Sequence, residues 1–69
     1  HTDALQKGWN VLVHDDLLAT GGTAEASAKL IKMQEAHVAG FAFLLELNFL
    51  NGRKKIENYS KNIISLVKY

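Results

Sequence analysis

The chain contains no cysteine, which excludes a disulfide framework and any thiolate metal site. That composition agrees with a cytosolic protein. Net charge is also scarce, formally +1 at pH 7, so bulk electrostatics point to no nucleic acid or other polyanion as a partner. No apolar run has membrane length. The longest, Val38–Leu50, is interrupted by Glu46 and Asn48 and falls short of the roughly 20 residues a membrane helix needs. No signal peptide, internal repeat, low-complexity tract or linker is visible. The expectation is a soluble chain with no membrane partner.

What is present is apolar residues in quantity. A chain of 69 residues buries only about 60% of the surface its unfolded form exposes. Yet 48% of its residues are hydrophobic, more than so small a core can use alone. They come in near-continuous runs, the pattern of parallel strands covered on both faces. Few elements are available to do that covering. The first residue is His1, not Met. These features predict a portion of a larger α/β fold, or a chain that docks on another, with residues 1–69 forming part of one domain.

The order of elements follows from local pattern. Lys7-Gly8 reads as a turn. Trp9 to His14, with Val11, Leu12 and Val13 in succession, reads as a buried strand. The adjacent carboxylates of Asp15 and Asp16 are costly to bury and should end it. Gly21-Gly22 marks a loop. A helix is predicted from Ala24 to Ala36, with Thr23 as N-cap and Glu25 at the positive dipole end. Ala26, Leu30 and Met33 fall at i, i+4 and i+7, flanked by Ala24, Ala28 and Ile31, as one apolar stripe. His37 follows the last turn. A second strand spans Val38 to Leu47, and Gly40 in it can allow close backbone approach. The strand–helix–strand unit should be a right-handed crossover between parallel strands. Asn51-Gly52 is a turn, Arg53 to Ile56 a short helix, Asn58 to Asn62 a loop, and Ile63 to Tyr69 a third strand.

The chemistry concentrates in Val11–Thr23. In parallel α/β folds, ligands bind beyond the carboxyl ends of the strands, where Asp15–Thr23 is expected. The loop Ala19-Thr20-Gly21-Gly22-Thr23 has the parts of a phosphate cradle. Its glycines let backbone N–H groups approach an anion. The helix start adds unpaired N–H groups and a positive dipole end. Thr20 and Thr23 add hydroxyls. The loop holds no lysine, so it is not the GxxxxGK loop of nucleoside triphosphatases, and it suits one phosphate monoester. The carboxylates of Asp15 and Asp16 can accept hydrogen bonds from both hydroxyls of a ribose, or hold Mg²⁺ directly or through water. Acids and cradle together spell a ribose 5-phosphate. Gly-Gly before a helix is often only a turn, and paired Asp often only ends a strand. Their conjunction in this order is what carries the signal.

The string VLVHDDLLATGGTAEA resembles the signature of the type I phosphoribosyltransferases, an apolar strand running into two acids and a T-G-G-T loop. Its form D-D-L-L-A-T-G-G-T resembles the adenine-specific branch. The segments His1–Leu5 and Lys7-Gly8, the block Leu45–Arg53 and the run Ile63–Tyr69 resemble the corresponding parts of that family, so the likeness covers essentially the whole chain. It implies the C-terminal part of a type I phosphoribosyltransferase fold, without the N-terminal half that carries the base-binding hood, the pyrophosphate loop and the mobile catalytic loop. It further implies reaction of adenine with phosphoribosyl pyrophosphate to give AMP and pyrophosphate, with Mg²⁺, in a cytoplasmic homodimer serving purine salvage. Under it, Asp15 and Asp16 are the catalytic pair on the ribose hydroxyls, and Ala19, Thr20, Gly21, Gly22 and Thr23 bind the 5-phosphate. His14 departs from the pattern, which has a branched apolar residue there. A tolerated substitution facing solvent or a partner accounts for it. Because half the fold is missing, little or no transferase activity is expected of this chain alone.

Other residues have plainer readings. Arg53-Lys54-Lys55 is too short for a nucleic-acid footprint and reads as a solvated helix face. Glu46 is expected to end its strand or pair with Arg53. Trp9 and Tyr59 are expected to pack, and Phe41, Phe43 and Phe49 to form core or dimer contacts. The three histidines lack metal-ligand spacing. Two other functions remain open to the same residues. One is a non-catalytic regulator that senses phosphoribosyl pyrophosphate or a nucleotide. The other is a receiver-like domain phosphorylated on an acid, which would leave the glycine loop without a task.

Overall fold

A computed structural model describes residues 6–69. The segment His1–Leu5, part of the resemblance above, lies outside the described residues. The chain runs β1 (Asn10–Leu18), α1 (Gly22–Met33), β2 (His37–Glu46), a 3-10 turn (Asn48–Leu50), α2 (Gly52–Ile56) and β3 (Ile63–Lys68). The described strands form one sheet in the order β1-β2-β3. Both pairings are parallel, with Val13 opposite Phe41 and Phe41 opposite Ile63. The expected parallel α/β unit is therefore present, as is the turn at Lys7-Gly8.

β1 does not stop at the acids. It continues through Asp15 and Asp16 to Leu18, with Asp15 paired to Phe43 and Leu18 to Glu46. The burial cost that should have ended it does not arise. Among the described strands β1 lies at an edge, Asp15 is only half-buried and Asp16 is exposed.

α1 also departs from expectation at both ends. Its N-cap is Gly21, in the left-handed conformation at φ 88, with no side-chain cap bond. Thr23 is thus inside the first turn instead of capping it. The helix ends at Met33, short of Ala36, because Glu35 takes a left-handed φ of 61. The Glu35 N–H then donates to the Lys32 carbonyl at 2.9 Å and the Ala36 N–H to the Ile31 carbonyl at 3.1 Å, a Schellman ending. His37 becomes the first residue of β2, its N–H donating to the Trp9 carbonyl at 2.7 Å.

The core lies between the sheet and the two helices. Val13, Leu18, Phe41 and Phe43 meet Ala24, Ala28, Ile31 and Ile56. The rings of Phe41 and Phe43 stack with centroids 6.3 Å apart. Only one of the two rows of the predicted stripe turns inward. Ala24, Ala28 and Ile31 face the core, while Ala26, Leu30 and Met33 are exposed. Small alanines let the helix axis approach the phenylalanines closely, and the larger Leu30 and Met33 are left outside. Phe49 is exposed as well, and Trp9 is largely so, whereas Tyr59 packs against the core edge. Gly40 meets its expectation: a Cβ there would come within 2.8 Å of the Asn62 carbonyl oxygen. His14 is exposed, on the sheet face away from the helices. Among the described residues, no helix is long and apolar enough to cross a membrane.

Candidate functional site

A cleft of about 220 Å³ opens at the carboxyl end of β1. It is lined by Asp15 and by the continuous run from Leu17 to Ala24. The fold therefore brings Asp15, Ala19, Thr20, Gly21, Gly22 and Thr23 together, as their order predicted. Asp16 is exposed and is not among the lining residues. Strand alternation sends the side chains of adjacent residues to opposite faces, and the two acids are linked only by the Asp16 N–H, which donates to Asp15 Oδ1 at 2.8 Å.

The loop half of the cleft is rich in donors. The first backbone bond of α1 runs from the Glu25 N–H to the Gly21 carbonyl at 2.8 Å. Among the described residues, the N–H groups of Thr23 and Ala24 meet no acceptor, the usual state of a helix start. The Gly22 N–H has only a long 3.4 Å contact to Thr20 Oγ1. These donors, the dipole of α1 and two exposed threonine hydroxyls make a concavity whose chemistry suits an anion. The carboxylate of Asp15 on the same cleft accepts hydrogen bonds and does not suit an anion. The cleft thus has two unlike halves, one for an anionic group and one for hydroxyls or a hydrated cation.

Behind the loop lies a second polar cluster. Glu46 ends β2 and is 1% exposed. Its carboxylate accepts from Arg53 at 2.6 and 3.0 Å and from the Ser65 hydroxyl at 2.7 Å. Arg53 also reaches the Ile63 carbonyl at 3.4 Å. The Arg53 hydrogen bonds, helped by Ser65, hold the Glu46 carboxyl below its usual range against the opposing effect of burial. Glu46 in turn raises Arg53. Both groups stay ionised at neutral pH and are spent on each other. The expected pairing with Arg53 is present, and Arg53 is anchored instead of merely solvated.

Sequence reasoning missed Gly52. A Cβ on Gly52 would collide with the Ala19 carbonyl and come within 2.8 Å of the Gly21 nitrogen. The Asn51-Gly52 pair signals a turn, but nothing local tells that its neighbour is the loop after β1.

No family profile matches the chain. The adenine phosphoribosyltransferase of Cytophaga hutchinsonii is 52% identical over 69 residues, all of this chain and 38% of that protein. The crystal structure of adenine phosphoribosyltransferase from Thermoanaerobacter pseudethanolicus superposes with a TM-score of 0.89 at 52% identity, covering 97% of this chain and 39% of the other. By sequence and by fold, the chain matches one segment of the adenine phosphoribosyltransferases. A third likeness is to the enzyme of Trypanosoma brucei in complex with AMP, pyrophosphate and ribose-5-phosphate, with a TM-score of 0.81, 28% identity, and coverage of 93% and 30%. The chain spans about 38% of the length of the curated relatives it matches. Its parallel sheet with flanking helices is part of the type I phosphoribosyltransferase fold.

Proposed function

We propose that this chain supplies the ribose 5-phosphate site of a purine-salvage transferase that moves the 5-phosphoribosyl group from phosphoribosyl pyrophosphate to adenine. The observation that carries the reading is the cleft that joins Asp15 to the lysine-free loop Ala19–Thr23. The backbone N–H groups of Gly22, Thr23 and Ala24 and the hydroxyls of Thr20 and Thr23 hold the 5-phosphate. Asp15 accepts hydrogen bonds from ribose hydroxyls. Asp16, one residue on and outside the lining, acts through water.

In the reaction the bond from the sugar C1 to the pyrophosphate oxygen breaks, and the pair of electrons leaves with pyrophosphate. An imidazole nitrogen of adenine then bonds to C1 and gives up its proton to the departing pyrophosphate or to water, and AMP results. Positive charge develops on the sugar ring between these events. A clamped phosphate fixes the ring in position, and the nearby carboxylates stabilise that charge. Mg²⁺ fits the donor set only as a shared ion. Among the described residues no group of three ligating side chains exists, and Mg²⁺ keeps waters and substrate phosphates as ligands. Bound with phosphoribosyl pyrophosphate, it would neutralise the leaving group, with Asp15 as the carboxylate on the cleft and Asp16 joining only through water.

The complete enzyme is read as a cytoplasmic homodimer, in line with the exposed Leu30, Met33 and Phe49, which offer apolar surface to a partner. Purified chain mixed with adenine, phosphoribosyl pyrophosphate and Mg²⁺ is expected to form little or no AMP, while calorimetry detects ribose 5-phosphate binding. Asp15→Asn should weaken that binding about tenfold, the cost of roughly one charged hydrogen bond. Asp16→Asn should weaken it less. Robust AMP formation, or binding indifferent to both substitutions, overturns the corresponding part of the reading.

A further inference from the structure

Gly52 belongs to α2, yet its closest neighbours are the backbone of the loop after β1. A Cβ on Gly52 would strike the Ala19 carbonyl oxygen and fall 2.8 Å from the Gly21 nitrogen and 2.9 Å from the Thr20 carbonyl carbon. In the other direction, a Cβ on Gly21 would fall 2.6 Å from the Gly52 carbonyl oxygen. Real Cβ atoms do not approach within 3.0 Å, so the two main chains touch only because both residues are glycine. Gly21 also needs its left-handed φ of 88. Gly52 does not: it sits in ordinary helical backbone, so the loop alone excludes a side chain there.

The start of α2 is itself tied down. Arg53, the next residue, is clamped to Glu46 at the end of β2 and reaches the Ile63 carbonyl at the start of β3. Ser65 of β3 holds the same carboxylate. The Leu47 N–H donates to the Leu18 carbonyl at 2.9 Å, which joins the end of β1 to the same edge. The loop therefore rests against a fixed object.

We propose that Gly52 is a positioning residue, and that the clamped start of α2 is the backstop that fixes the Ala19–Gly21 backbone and, through it, aims the donors that follow at Gly22–Ala24 toward a sugar phosphate. The proposal rests on the reading of this loop as a ribose 5-phosphate site. Its physical basis is that a binding shell must be held within about 0.5 Å of its working geometry by the residues behind it. A methyl group at position 52 pushes the loop into the cleft; a looser Arg53 lets it retreat.

The test is titration of ribose 5-phosphate into the full chain, Gly52→Ala and Arg53→Lys, with folded fraction followed by thermal melting. Gly52→Ala should weaken binding roughly tenfold or more and shift the amide resonances of Thr20–Thr23 while those of β3 hold. Arg53→Lys keeps the charge but loses the two-point clamp, and should weaken binding about threefold. Gly52→Ala affinity within about twofold of the parent overturns the proposal, as does a loss that merely follows the folded fraction. If Gly52→Ala does not fold, Arg53→Lys decides, and unchanged affinity there overturns it. A parent chain that fails to bind ribose 5-phosphate removes the site reading and this proposal together, which differs from a parent that binds and a Gly52→Ala that binds equally.

Discussion

On one face of the sheet, Val13, Phe41 and Phe43 lie buried beneath α1 and α2. On the other, register places Leu12, His14, Ala42, Leu44, Ile64 and Leu66 together, and Leu12, Leu44, Ile64 and Leu66 are exposed, Leu66 by 72%. The residue types are alike; the cover differs. Parallel sheets are normally covered on both faces, so the second face needs a layer that the described residues do not supply. The site belongs to neither face. It sits at the carboxyl edge, where α1 and α2 converge, and it is built by the covered half alone.

That contrast can be broken or sharpened by substitution. The largest effect is expected from Phe41→Ala, which opens a cavity at a fully buried position and should cost about 4 kcal/mol. A chain of this size has a total stability of only about 3–10 kcal/mol, so denaturant melts should show that a large fraction of it is lost. Arg53→Ala should follow, at about 3 kcal/mol, because it leaves the buried Glu46 carboxylate without its cation. This is the low end for a buried pair, as the Arg53 side chain keeps 28% exposure.

Glu46→Gln should cost about 2 kcal/mol, the worth of charged hydrogen bonds replaced by neutral ones. Its pH dependence has a definite sign. The folded-state carboxyl lies below its usual value of 4.5. Its contribution is fully present above that value and is lost as pH falls through the lower folded one. The stability gap between parent and Glu46→Gln should stay constant from neutrality to about pH 5 and close below it. A gap that widens on acidification would contradict the assigned clamp. The smallest effect is expected from Leu66→Ser on the open face, within about 0.5 kcal/mol. A loss above about 2 kcal/mol in the same melts would mean that this face is covered in solution.

Much of this was legible from residue order. The crossover unit, the parallel strands and the cleft all follow from a strand, an acid pair, a glycine loop and a helix in succession. What escaped was decided by contacts distant in sequence. The extension of β1 through Asp15 and Asp16 depends on pairing with Phe43 and Leu45 and on its edge position, neither of which a local burial argument contains. The helical row that turns inward depends on the phenylalanines across from it. Ala24 and Ala28 outcompete Leu30 and Met33 because small residues allow the closer fit. The fit of Gly52 against Gly21 has no local signature at all. Within the site, one-residue alternation separates Asp15 from Asp16, which paired acids in a sequence do not reveal.

The central claim is that the edge cleft, and not the open apolar face, binds a sugar phosphate. The most direct measurement is a nuclear magnetic resonance titration of the labelled chain with ribose 5-phosphate, with ribose and inorganic phosphate run beside it. The account predicts that amide shifts concentrate at Asp15 and Thr20–Ala24, that the combined ligand binds more tightly than either part, and that Ile64 and Leu66 do not move. Shifts centred on Leu12, Leu44, Ile64 and Leu66, or no saturable shift at the loop, would contradict it.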